Sequence, residues 1–133
     1  MSGMALATLV AVGIGMHNLG EGLAVGTSFS VGELTLGTFL IVGFMIHNVT
    51  EGLAIASPLA EGGEGARIPL PTLVGLTLIS GAPAILGAWI GGYSGSDVLA
   101  VLFFAAAAGA AFQVVVEVVR FVRRRAPGGL RAG

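Results

Sequence analysis

The chain has 133 residues, 55 % of them hydrophobic and 10 % charged, with a net charge of -1. A soluble domain carries about 25 % charged residues, so this surface is too poor in charge for water, and the hydrophobicity excludes disorder. Cysteine is absent, which excludes disulfides, Cys-ligated zinc and thiol chemistry, and the charge is too small to imply a nucleic-acid partner.

With a mean hydropathy of +0.97, the composition predicts an all-α integral membrane protein. Four apolar stretches, residues 4–29, 34–58, 70–92 and 98–119, are each long enough to cross a bilayer, which takes about 20 residues. All read as transmembrane helices, because strand alternation is missing and each run is too long for a barrel strand. The breaks between them, at 30–33, 57–71 and 93–97, carry glycine, proline, serine and acidic residues. The first stretch has no basic leader and contains a histidine and a glutamate, so it does not read as a signal peptide. The expected organisation is one transmembrane bundle over 1–133, ending in a basic tail at 120–133.

Lysine is absent, and the arginines are Arg67, Arg120, Arg123, Arg124, Arg125 and Arg131. Four spans put the long second loop, both termini and thus every arginine on one side, with Glu33 and Asp97 on the other. The positive-inside rule makes that side cytoplasmic. The run Arg123 to Arg125 reads as a lipid-headgroup anchor. The Ala- and Arg-rich, Lys-free composition points to a bacterial inner membrane protein.

The chain repeats itself. His17-Asn18-Leu19-Gly20-Glu21-Gly22-Leu23-Ala24-Val25-Gly26 recurs 30 residues later as His47-Asn48-Val49-Thr50-Glu51-Gly52-Leu53-Ala54-Ile55-Ala56, with six of ten positions identical. The copies lie near the middle of consecutive spans, which run in opposite directions. Antiparallel packing would bring them together at similar depth.

Within each copy, histidine and glutamate are four residues apart, so a helix stacks them on one face. The asparagine lies about 100° further round. Two such helices offer two imidazoles, two carboxylates and two amides. Charged groups at mid-membrane depth cost a few kcal/mol each on insertion scales, and persist where they are paired, solvated or cation-bound. Mixed nitrogen and oxygen donors suit zinc, iron, manganese, cobalt or nickel, not copper(I). Two glutamates between facing helices can also bridge a pair of divalent ions. A lone membrane histidine is usually a helix-to-helix hydrogen bond, but packing alone requires no duplicated glutamates. Gly22 and Gly26, and Gly87 and Gly91, have the spacing of close-packing helix seams.

These motifs resemble the ZIP (Zrt/Irt-like) family of divalent metal transporters, in its GufA-like and ZupT-like branch. That branch carries H-N-x-x-E-G-L-A in its fourth span and again in its fifth. The resemblance implies that the four spans here correspond to spans four to seven of an eight-span fold. It implies a binuclear site with His17, Asn18 and Glu21 as fourth-span ligands and His47, Asn48 and Glu51 as fifth-span ligands, Glu21 and Glu51 bridging. Glu117 resembles the acidic end of the seventh span, an exit or relay group; the alternative is a glutamate snorkelling near Arg120. Many relatives read Ser-Gly-x-x-Glu-Pro in the sixth span, where this chain has Ser80-Gly81-Ala82-Pro83-Ala84-Ile85. Ala84 cannot ligate, which implies a weaker or simpler second metal position. Pro83 is expected to bend that helix.

The resulting expectation is transport of a divalent cation, zinc foremost, into the cytoplasm. The metal is the substrate, and no prosthetic group is implied. The resemblance covers almost all of this chain but about half of a family member. A homodimer, or a partner with the missing spans, would complete the fold. The alternative is a truncated or partner-dependent half-transporter that binds metal without moving it. An enzyme is disfavoured: there is no His-Glu-x-x-His, no serine beside a histidine, and no Glu-x-x-His of the di-iron carboxylate kind.

Overall fold

The computed structural model describes residues 2–60 and 68–125, except for the side chains at 114, 117, 118, 121, 122, 124 and 125. The expectations for Arg67, for Arg131 and for the tail from 126 onward therefore lie outside the described residues. Four helices follow in order: α1 (Gly3–Ser30), α2 (Leu34–Ala60), α3 (Leu70–Gly92) and α4 (Asp97–Arg125). No strand occurs among the described residues.

The helix ends follow from local chemistry. Ser2 caps α1 by accepting from the Ala5 amide at 3.3 Å, and Ser96 caps α4 by accepting from Leu99 at 3.3 Å. Pro69 and Pro71 open α3, where a missing amide costs nothing. The α1–α2 turn needs Gly32, whose φ of 82° lies in the left-handed region. α2 runs on through Pro58 to Ala60, beyond the expected stop at 58. α4 runs on to Arg125, so the first six residues of the expected basic tail continue the helix.

α1, α2 and α3 are each long and apolar enough to cross a membrane; in α4 the apolar part of the described residues is the shorter segment Asp97–Gln113. Three of the four expected spans meet this measure, and the fourth, 98–119, includes side chains outside the described residues. The burial pattern is inverted relative to a water-soluble protein. Phe39, Ile85 and Trp89 are at least 70 % exposed, whereas Asn18, Glu21, Thr27 and Ser28 are at most 4 % exposed. Apolar outside and polar inside suits a lipid surround.

α1 is the hub against which α2, α3 and α4 all pack. Its closest partner is α3, and glycine makes that closeness possible. A Cβ at Gly22 would collide with the Ala84 carbonyl, and one at Gly26 with that of Ala88. From the other side, Gly87 and Gly91 would collide with the carbonyls of Leu19 and Leu23. The two spaced glycine pairs thus face each other, backbone on backbone. Gly15 lies against the Ile79 carbonyl, the acceptor that Pro83 leaves without its helical amide. α3 is assigned as one helix through Pro83. By contrast, α2 barely touches α3. A small apolar core of Ala7, Ala11, Ile55 and Leu76 joins the three helices, and α2 also meets α1 where Gly3 lies against Pro58 and Gly37 against Phe29.

Candidate metal centre

Four of the repeated side chains converge between α1 and α2. Helix α1 stacks His17 over Glu21, with His17 Nε2 3.0 Å from Glu21 Oε1. Helix α2 stacks His47 over Glu51, at 3.7 Å. Across the pair, His47 Nε2 is 2.8 Å from Glu21 Oε1, and His17 Nε2 is 3.8 Å from Glu51 Oε1. The two imidazole rings are tilted, with centroids 5.8 Å apart. Each imidazole therefore addresses both carboxylates, one from its own helix and one from its neighbour.

The distances can be compared with a metal shell. Zinc–nitrogen and zinc–oxygen bonds of about 2.0–2.1 Å in a tetrahedron put neighbouring ligand atoms about 3.3 Å apart. The four nitrogen–oxygen separations, from 2.8 to 3.8 Å, bracket that value. His17, Glu21 and His47 each offer a ligand atom within 4.8 Å of the others. Glu51 joins this trio through the histidines and sits at its margin. Two nitrogens and one carboxylate with a fourth group alongside resemble an open site rather than a closed structural one.

One aromatic neighbour flanks His47. Phe44, one turn earlier on α2, presents its ring edge-on at 5.7 Å. His47 Nε2 is buried yet makes no hydrogen bond, although Glu21 Oε1 is 2.8 Å away.

The two asparagines do not join the cluster in the same way. Asn18 turns to α3, where its Nδ2 donates to the Ser80 carbonyl at 3.0 Å. Its Oδ1 is buried and has no hydrogen-bond partner. Asn48 is exposed. With Glu51, Thr77 and Ser80, both asparagines line a cavity of about 210 Å³ beside the cluster. The backbone of Ala84 instead lies on the α1 seam against Gly22. Glu117 belongs to α4, and its side chain lies outside the described residues.

Sequence reasoning passed over three participants. In the sequence Ser80 stands out only as part of a sixth-span motif, yet its carbonyl anchors Asn18. Phe44 was hidden in an apolar run, though it sits three residues before His47. Gln113, the lone polar residue between Val98 and Val116, lines a second cavity together with His17 and Glu51.

Comparison of the chain with protein-family models, with curated proteins and with solved structures finds no match.

Proposed function

We propose that this chain binds a divalent transition-metal cation, zinc foremost, at the His17–Glu21–His47–Glu51 cluster and passes it across a membrane. The observation that carries this reading is the convergence of two copies of one motif, from antiparallel helices, into four mutually addressed donors. The resemblance of both copies to the paired motifs of ZIP transporters supports the same reading. Two carboxylates offset the two positive charges of the ion, and the imidazoles supply borderline-soft nitrogen. The ion is cargo, held by groups that can be exchanged one at a time.

The helix packing suits movement around the site. α1 and α3 form one glycine-sealed unit, while α2 brings half of the donors and is held mainly by α1. Displacement of α2 relative to the α1–α3 unit would open or close the cluster without breaking the seam. Uptake of zinc into proteoliposomes by the 133-residue chain, beside a Glu21→Ala/Glu51→Ala variant, tests the reading. Uptake that disappears in the variant supports it; uptake that persists refutes it.

One observation favours a second reading, in which the chain binds metal but needs another copy or another chain to transport it. The His47 side chain is 40 % exposed and Asn48 is exposed, both in the middle of an apolar helix. Polar groups at that depth call for a covering helix. Metal binding without uptake, with uptake restored in crosslinked dimers or on addition of a partner, would establish this version.

A further inference from the structure

α4 contributes a polar group at the depth of the cluster. Its register on α1 is set at Gly20, where an added Cβ would lie 3.4 Å from the Ala110 Cβ and 3.6 Å from the Ala107 Cα. One turn beyond Ala110, Gln113 enters the wall of a cavity of about 410 Å³ between α1, α2 and α4. The polar residues lining this cavity are His17, Glu51 and Gln113, and the rest of its lining is apolar or glycine. Glu51 also lines the cavity that holds Asn18 and Asn48. It therefore stands between two chambers, and Gln113 is on the α4 side.

Resting on the function proposed above, we propose that Gln113 is a specificity-determining ligand: its amide oxygen receives the divalent cation that His17 and Glu51 present to this cavity. The chemistry suits a transit position. An amide oxygen is a hard, neutral donor, so it can replace a water without adding charge. Glu21 and Glu51 already neutralise a divalent ion, and a third carboxylate would hold it too firmly to release. An alkyl side chain at 113 would leave this cavity with no donor from α4 among its described lining residues. An uncharged amide lets the ion leave the cluster and favours hard cations such as manganese over softer ones. The neighbours Ala110 and Phe112 have no such capacity.

The test uses the full chain in nanodiscs, titrated with zinc and with manganese, for the wild type, Gln113→Ala, Gln113→Glu and Glu21→Ala/Glu51→Ala. Thermal melting without metal is measured alongside. The expected result is that Gln113→Glu tightens manganese about tenfold and more than it tightens zinc. Gln113→Ala should weaken manganese selectively. If both Gln113 variants titrate like the wild type, while the double glutamate variant does not bind, the inference falls and the proposed function stands. A lowered melting temperature with unchanged titrations would assign Gln113 to helix packing and overturn the inference equally. Undiminished binding by the double glutamate variant would remove the cluster reading and this inference with it.

Discussion

His47 on α2 reaches across to Glu21 on α1, bringing Nε2 to 2.8 Å from Oε1, closer than either histidine comes to the glutamate of its own helix. The cross-helix contact makes the repeat a single site: neither helix alone places both nitrogens on one oxygen. Glu21 Oε1 is within 3.0 Å of both imidazoles, whereas Glu51 Oε1 is 3.7 and 3.8 Å from them. The two glutamates, equivalent in the sequence, are thus unequal in the fold.

That inequality sets the order of mutational effects. Glu21→Ala should weaken zinc binding more than Glu51→Ala. A tenfold gap between the two affinities, about 1.4 kcal/mol, is the expected minimum. Isothermal titration calorimetry on the two single variants measures this. Equal losses would mean that the ion sits midway between the carboxylates, as in a symmetric bridged pair.

Asn18 is expected to matter in a different way. Its amide nitrogen is occupied by the Ser80 carbonyl, so Asn18→Ala removes a buried bond between α1 and α3. The cost should be about 1 kcal/mol of stability, read by thermal melting, with a smaller loss of zinc affinity than for Glu21→Ala. A loss as large as that for Glu21→Ala would place the Asn18 oxygen on the ion.

The α1–α3 seam predicts a sharp size limit. Gly22→Leu and Gly87→Leu each drive a side chain into facing backbone, and overpacking of this kind costs about 1–3 kcal/mol or more. Gly13 and Gly75 have nothing within 4 Å of an added Cβ, so alanine there should hold or raise the melting temperature. Melting curves in one detergent compare the four variants directly. Equal tolerance at all four positions would show that the helices do not meet along this line.

Acidification should weaken binding. Imidazole and carboxylate donate to a metal only when deprotonated, so protons and the cation compete for the same atoms. Each proton displaced per ion bound lowers the apparent affinity about tenfold for each unit of acidification. Zinc titrations at several pH values give the slope. A flat profile would exclude the histidines from the ligand set.

Much of this fold could be read from the chain, because hydrophobic runs of bilayer length and the polar breaks between them leave little choice. The bounds of α3 agree with the apolar stretch at both ends, with Pro69 and Pro71 opening it and Tyr93 as its C-cap. The end of α2 did not, because Pro58 sits in its last turn, where the chain stays helical. α4 also ran longer than expected, since a hydropathy argument stops at Arg120 while the backbone does not. At the site, the repeat singled out His17, Glu21, His47 and Glu51, which helical spacing stacks and antiparallel packing joins. It gave no indication that Asn18 would donate to Ser80 while Asn48 stayed exposed. Their difference comes from the neighbours: α1 is pressed against α3, and α2 is not. Gln113 was equally hidden, because its place depends on the register of α4 at Gly20, a contact that no local pattern encodes.

The most direct test of the central claim is a cobalt(II) titration of the purified chain followed by visible absorption. Cobalt(II) stands in for zinc, and its ligand-field bands report the number and type of donors. The two-helix site predicts saturation at one ion per chain, with the band pattern of a four-coordinate nitrogen and oxygen shell, lost in Glu21→Ala and altered in His47→Ala. A spectrum that remains that of hexaaquo cobalt(II), or a bound spectrum indifferent to both substitutions, would contradict it.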